Sequence, residues 1–270
     1  MAAFRPFLLL LCAACAWGSG TVYTFEPPTF AGSSPGAGGV ALSGQDGWLT
    51  GGGLASGIVY TYAGTPIPAI PGGSGGSQFV AMRPGSENYV DGVSFAGPSE
   101  WVITFDILVY SVTVGNNSVG SFYLFADSTG YQLHAFPAVA AGGTWSAKFD
   151  VFNPNGTQNN GVDLGGAFDG LRMDHWYQEQ IVISTTSNQI LSVSIDDPSN
   201  PAASATDDPT GWYLYGGASA AFSVGGMGMR GIGTLGFDNI SLDPVAPEPA
   251  SWTLWLAGAA VLCFLRGRRR

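Results

Sequence analysis

Apolar and polar positions alternate with a period of two along much of residues 21–245. The clearest run lies at residues 100–110. Trp101, Ile103, Phe105, Ile107 and Val109 share one face, and Val102, Thr104, Asp106 and Leu108 share the other, mixed face. In residues 119–126, Phe122, Leu124 and Ala126 alternate with Tyr123 and Phe125. Residues 176–196 hold two such runs. Ile181 and Ile183 alternate with Gln180, Val182 and Ser184, and Leu191, Val193 and Ile195 alternate with Ser192, Ser194 and Asp196. The turn-forming Thr186-Ser187-Asn188-Gln189 lies between them, so the segment predicts a hairpin with one buried and one wet face. Further strands are expected at residues 22–26, 57–62, 78–82, 89–95, 145–152, 212–215 and 235–242. No amphipathic helix interrupts them. Many strands without a crossover helix imply an all-β fold, an antiparallel β-sandwich or jelly roll.

Both ends break this pattern. Residues 7–16 form an apolar stretch behind the basic Arg5, and Ala14-Cys15-Ala16 fits a small-x-small cleavage rule. Residues 1–20 therefore read as a signal peptide. At the other end, residues 252–265 contain no charge and precede Arg266, Arg268, Arg269 and Arg270. As a helix this run spans about 21 Å, short of the roughly 30 Å hydrocarbon core. It reads as a single, minimal transmembrane helix whose arginines act as a stop-transfer tail and stay on the cytoplasmic side. The competing reading is a core helix, which would not normally end in four arginines.

Pro247, Glu248 and Pro249, then the apolar span, then the arginine cluster resemble the PEP-CTERM sorting signal of Gram-negative bacteria. The resemblance covers residues 246–270. It implies processing by exosortase, a membrane-embedded cysteine protease, and delivery from a transient membrane anchorage to the cell surface or an extracellular matrix. A plain single-span anchor is the alternative.

With the ends set aside, residues 21–245 form one sizeable domain. Cys12, Cys15 and Cys263 all lie in the end segments, so the body has no disulfide. Its only basic residues are Arg83, Lys148, Arg172 and Arg230, against eighteen acids, a net of −14. That charge repels nucleic acid and anionic lipid. Solubility alone also accounts for it.

The strings GQDGWLT (44–50), GSQFVAMR (76–83), DHWYQEQIVIS (174–184) with QILSVSID (189–196), and TLGFDNISL (234–242) together resemble the concanavalin A-like lectin/glucanase, or laminin-G-like, jelly roll. A galactose-binding-type sandwich is the other candidate. The Glu-x-Asp-x-x-Glu strand used by glucanases of that superfamily is absent. Asp174 and Glu179 have odd spacing and are expected on opposite faces. His134 and His175 fit no metal-ligand motif, and a surface or structural role is expected for each. No cysteine nucleophile remains in the body. The glycine-rich residues 225–233 are expected to mark a close backbone approach or a mobile loop. Asp196-Asp197 and Asp207-Asp208 offer hard oxygen ligands for calcium, with plain acidic turns as the competing reading, and no other cofactor is implied. Asn116, Asn155 and Asn239 begin glycosylation sequons that a bacterial sorting tail makes irrelevant. Trp212, Tyr213 and Tyr215 are candidate sugar platforms or core residues.

These readings lead to an exported, non-enzymatic structural or adhesive protein, with exosortase, the membrane and an exopolysaccharide as expected partners. A carbohydrate-binding module is the first alternative and a glycoside hydrolase-like enzyme the second.

Overall fold

The computed structural model describes residues 20–73, 76–110, 118–126, 130–140 and 142–245. Residues 1–19 of the expected signal peptide, the Pro247-Glu248-Pro249 motif, the apolar span, the arginine tail and Asn116 lie outside the described residues. Among the described residues, no helix is long and apolar enough to cross a membrane.

The fold is all-β. Its strands, in chain order, are β1 (Thr21–Tyr23), β2 (Val40–Ala41), β3 (Leu49–Thr50), β4 (Ile58–Thr61), β5 (Gln78–Met82), β6 (Ser86–Asp91), β7 (Glu100–Val109), β8 (Gly120–Ala126) and β9 (Gly130–Val139). They continue with β10 (Thr144–Phe152), β11 (Gln158–Asp163), β12 (Leu171–Arg172), β13 (Trp176–Ser184), β14 (Gln189–Asp196), β15 (Ala205–Asp207), β16 (Gly226–Gly231) and β17 (Leu235–Pro244). They form two antiparallel sheets. A nine-stranded sheet runs β15-β14-β13-β7-β17-β5-β4-β2, with β1 also paired to β17. An eight-stranded sheet runs β11-β10-β9-β8-β16-β6-β3, with β12 paired to β10.

The alternation read from the sequence decides which residues meet between the sheets. Trp101, Ile103, Phe105, Ile107 and Val109 of β7 enter the central core, as do Phe122 and Leu124 of β8 and Ile181 and Ile183 of β13. Phe105 of one sheet stacks on Phe122 of the other at 4.4 Å between ring centroids. Trp48 and Trp145 are fully buried in the same core.

Three expectations are decided or corrected. Of the two readings of the 225–233 stretch the close backbone approach holds and the loop does not, because the stretch contains β16, which lies between β6 and β8. Its Met227 and Met229 fill the core while Gly226 and Gly228 face outward. Residues 212–215 form no strand of either sheet; Tyr213 only bridges Phe152 and Gln189. The outer face of the nine-stranded sheet is wet only in part: Gln180, Val182 and Ser192 of the hairpin are partly exposed, but the rest is covered. Leu108, Trp176, Phe79, Ala81 and Tyr60 form a second apolar cluster there with Ile67 and Ile70 from the segment after β4. Trp176 Nε1 donates to the Pro68 carbonyl at 2.8 Å, which ties that segment down.

Glu179 shares the inward parity of Ile181 on β13. It is 1% exposed, and neither carboxyl oxygen has a hydrogen-bond partner. Burial pushes its carboxyl up to about 8, so it packs as a neutral acid at neutral pH. Asp174 lies before β13, is exposed and has a φ of 54°. The two acids therefore do not flank one site.

Candidate functional site: an aromatic groove on the open sheet

The outer face of the eight-stranded sheet carries a groove of about 380 Å³. Strand register builds it. One row across the sheet reads Leu49, Tyr89, Gly228, Tyr123, His134, Asp150, on β3, β6, β16, β8, β9 and β10 in turn. The neighbouring row reads Asp91, Gly226, Phe125, Tyr131.

The glycines of β16 make the floor. A Cβ on Gly228 would run into the Tyr123 ring and would lie 2.8 Å from the Asn88 carbonyl oxygen. A Cβ on Gly226 would run into the Phe125 ring and lie 2.7 Å from the Val90 carbonyl oxygen. Only glycine lets these rings lie down over the strand. Each of these glycines alternates with a core methionine, so one strand packs the core and clears the groove at once.

A β-bulge supplies a further ring. The register of β8 and β9 shifts between Leu124 and Phe125, so that Leu133 pairs with Leu124 and Tyr131 pairs with Phe125. In a regular strand, with Gln132 an ordinary paired position, Tyr131 and Leu133 would share a face. With the bulge, Leu133 enters the core and Tyr131 turns outward. Tyr131 then packs against His134 at 3.9 Å and edge-on to Tyr123 at 4.9 Å. Tyr89 meets Phe125 edge-on at 5.9 Å.

Polar groups fix the rings. The Tyr123 hydroxyl donates to Glu87 Oε1 at 2.6 Å. Burial and that bond raise the Tyr123 pKa, so the phenol keeps its proton. His134 Nδ1 lies 3.2 Å from Asp150 Oδ2, and the Gly161 backbone N–H donates to Asp150 Oδ1 at 2.7 Å. His134 Nε2 is buried without a partner. Asp91 is exposed at the groove edge.

A second polar cluster lies apart from this groove. Asp197 accepts from Arg172 Nη2 at 3.1 Å and from the Ser199 hydroxyl at 2.6 Å, and its Oδ1 is 2.8 Å from His175 Nε2. Burial acts to raise the Asp197 pKa, but the bonds from Ser199 and His175 outweigh it and bring it down to about 2. Ser199 and Asp197 meet the same ring nitrogen of His175. A relay in which the acid orients one nitrogen while the other takes the serine proton is therefore not assembled. The Asp197 carboxylate is engaged by these neighbours, whereas Asp196 and Asp207 sit on β14 and β15 and Asp208 is exposed beyond them. Among the described residues, no group of three or more His, Cys, Asp or Glu could hold a metal ion.

The aromatic residues singled out in the sequence do not form this groove. Trp212 is in the core against Phe149 at 5.6 Å, and the exposed Tyr215 packs edge-on to Phe152. Asn239 is no open sequon, because its amide donates to Asp106 Oδ2 at 2.6 Å. Alternation in β8 already placed Tyr123 and Phe125 together. The missed signals were Glu87, Tyr89 and Asp91 at i, i+2, i+4, and the glycine–methionine alternation of β16.

No protein-family profile matches the sequence. No curated protein matches it either. Among solved structures the likeness is limited. Alginate lyase Aly36B is 11% identical with a TM-score of 0.42, over 65% of this chain and 83% of that one. The CBM2 module of Lactobacillus casei BL23 phage J-1 evolved Dit is 11% identical with a TM-score of 0.43, over 77% and 94%. The exoplasmic/lumenal domain of VIP36, in a Ca2+/Man-bound form, is 13% identical with a TM-score of 0.40, over 64% and 81%.

Proposed function

We propose that this chain is an exported surface or matrix protein that binds glycan on the open face of its eight-stranded sheet, through a concanavalin A-like body. The observation that carries the reading is the set of half-buried rings Tyr89, Phe125 and Tyr131 around the buried Tyr123 over a glycine floor, with Glu87 and Asp91 beside them. Flat rings cover the apolar faces of sugars, and adjacent carboxylates accept hydrogen bonds from hydroxyls. Binding without cleavage is the favoured role. Tyr123 holds its proton and donates it in a hydrogen bond to Glu87, so the phenol is not free as a base. The sequence also lacks the clustered carboxylates of a glucanase strand.

The test is a glycan array probed with the full chain and with Tyr89→Ala. Loss of the bound glycans in the variant, with a thermal midpoint lowered by no more than about 4 °C, supports the groove. Equal binding by both proteins rejects it, and release of shorter oligosaccharides from a bound polysaccharide rejects the non-enzymatic role.

Delivery is proposed through exosortase acting near Pro247-Glu248-Pro249. Alanine at all three positions in the native host should leave the protein full-length in the inner membrane, while the parent appears shortened at the surface. Equal length and location would leave an ordinary anchor.

A further inference from the structure

From the charges around the groove we infer that its ligand is a cationic glycan, a polymer of amino sugars whose nitrogens are free rather than acylated. The inference rests on the glycan-binding reading and names the substrate class of that same groove.

The acids and rings are interleaved along one strand. Glu87, Tyr89 and Asp91 face outward from β6 at alternate positions. The two acids are thus about 14 Å apart along the strand, a distance a short oligosaccharide spans. Between them lies a ring, and Phe125 and Tyr123 face it across the glycine strand. An ammonium group beside such rings is attracted both by the carboxylates and by the negative ring faces. A neutral sugar uses only the apolar contact and ordinary hydrogen bonds.

The other charged groups nearby do not reverse this preference. Asp150 is occupied by His134 and the Gly161 N–H. Arg230 follows Gly228 on β16 and pairs in register with Glu87, so it offsets that end of the groove. Asp91, at the other end, enters no ion pair among the described residues and is exposed. The body as a whole carries a large excess of acids, which repels uronate and sulfate polymers. A polyanion would therefore meet one arginine against two groove carboxylates, whereas a polycation meets the reverse.

The test titrates the full chain by calorimetry with oligomers of glucosamine, of N-acetylglucosamine and of a hexuronate, at mildly acidic pH and low salt. The glucosamine oligomer is expected to bind about ten- to a hundredfold more tightly than the acetylated one, the scale of one charge-assisted hydrogen bond. Asp91→Asn should remove most of that preference. Asp208→Asn, which removes an equal charge beyond β15 on the other sheet, should leave it intact. An equal loss in both variants would mean simple attraction to an acidic protein and would overturn the inference. So would tighter binding of the hexuronate oligomer. If the acetylated oligomer binds as well as the free amine and Tyr89→Ala abolishes both, the amine preference fails while the glycan groove stands. Binding of none of the three would overturn both.

Discussion

Each sheet presents, on the face turned away from the central core, a tyrosine hydrogen-bonded to a carboxyl group. On the eight-stranded sheet the pair is Tyr123 with Glu87 at 2.6 Å. On the nine-stranded sheet it is Tyr62 with Asp238 at 2.9 Å. The first pair lines a groove and the second is sealed. Asp238 and its cross-strand neighbour Asp106 are buried beside the cluster of Trp176, Leu108, Ile67 and Ile70. Burial pushes Asp238 up to about 9, with the facing Asp106 and Glu26 adding to it, while bonds from the Asn239 N–H and Tyr62 oppose it. Burial pushes Asp106 up to about 6 against the bonds from Asn239 and Gln178. Similar chemistry thus gives a proton-holding structural cluster under a cover and a candidate binding surface without one. What separates them is the segment carrying Ile67 and Ile70 on one face and the bare glycines of β16 on the other.

The largest expected effect is on pH-dependent stability, and it belongs to the covered acids. A carboxyl whose folded pKa is raised keeps its proton after the unfolded chain has released it, so stability falls as pH rises through that window. For Glu179 the window runs from 4.5 to about 8, and for Asp238 from 3.8 to about 9. The Glu179 contribution alone is on the order of 4 kcal/mol. Asp197 acts in the opposite sense, since its depressed pKa gives stability that is lost only as pH falls from 3.8 toward about 2. Urea melts across these ranges should show a maximum near the acidic end, and Glu179→Gln should flatten the decline above it. A midpoint that stays level from mildly acidic to mildly alkaline pH would refute the buried neutral carboxyls.

Truncating one ring on each face compares cover with groove directly. Trp176→Ala should cost about 3–5 kcal/mol, because a fully packed indole and its bond to Pro68 are lost. Tyr89→Ala, at the edge of the open groove, should cost about 1 kcal/mol and remove glycan binding. Denaturant midpoints measure both, and similar losses would mean the two faces are equally packed.

The smallest effect is the sharpest comparison. Tyr62→Phe leaves buried Asp238 short of a partner and should cost about 1–3 kcal/mol, whereas Tyr123→Phe lets water reach Glu87 and should cost less than about 1 kcal/mol. Thermal melts at neutral pH rank the two. A reversed order would place the sealed environment on the wrong sheet.

Much of the fold was legible because alternation is a local property. The parity of β7, β8 and β13 alone puts Phe105, Phe122 and Ile181 on the buried faces of their strands. Less of the candidate site was legible. Gly226 and Gly228 lower strand propensity, so residues 225–233 read as a close backbone approach or a loop and not as a strand, although the methionines alternated correctly. The bulge at Gln132 reverses the parity of Tyr131 relative to Leu133, and a period-two reading has no means of placing that extra residue. Glu179 read only as facing opposite to Asp174, yet its parity with Ile181 already pointed inward.

The sequence by itself determined the all-β class, the faces of the long strands, the absence of cysteine between residues 21 and 245, and that segment's strong negative charge. These follow from side-chain period and composition, which need no knowledge of neighbours. Only the tertiary structure decided which outward face is covered and which stays open. That choice depends on strand order, on where the residues after β4 pack, and on a cross-strand register that sets Tyr89, Gly228, Tyr123 and His134 in one row. Each of these relations joins residues far apart in the chain, and their energies arise only when distant surfaces leave water together.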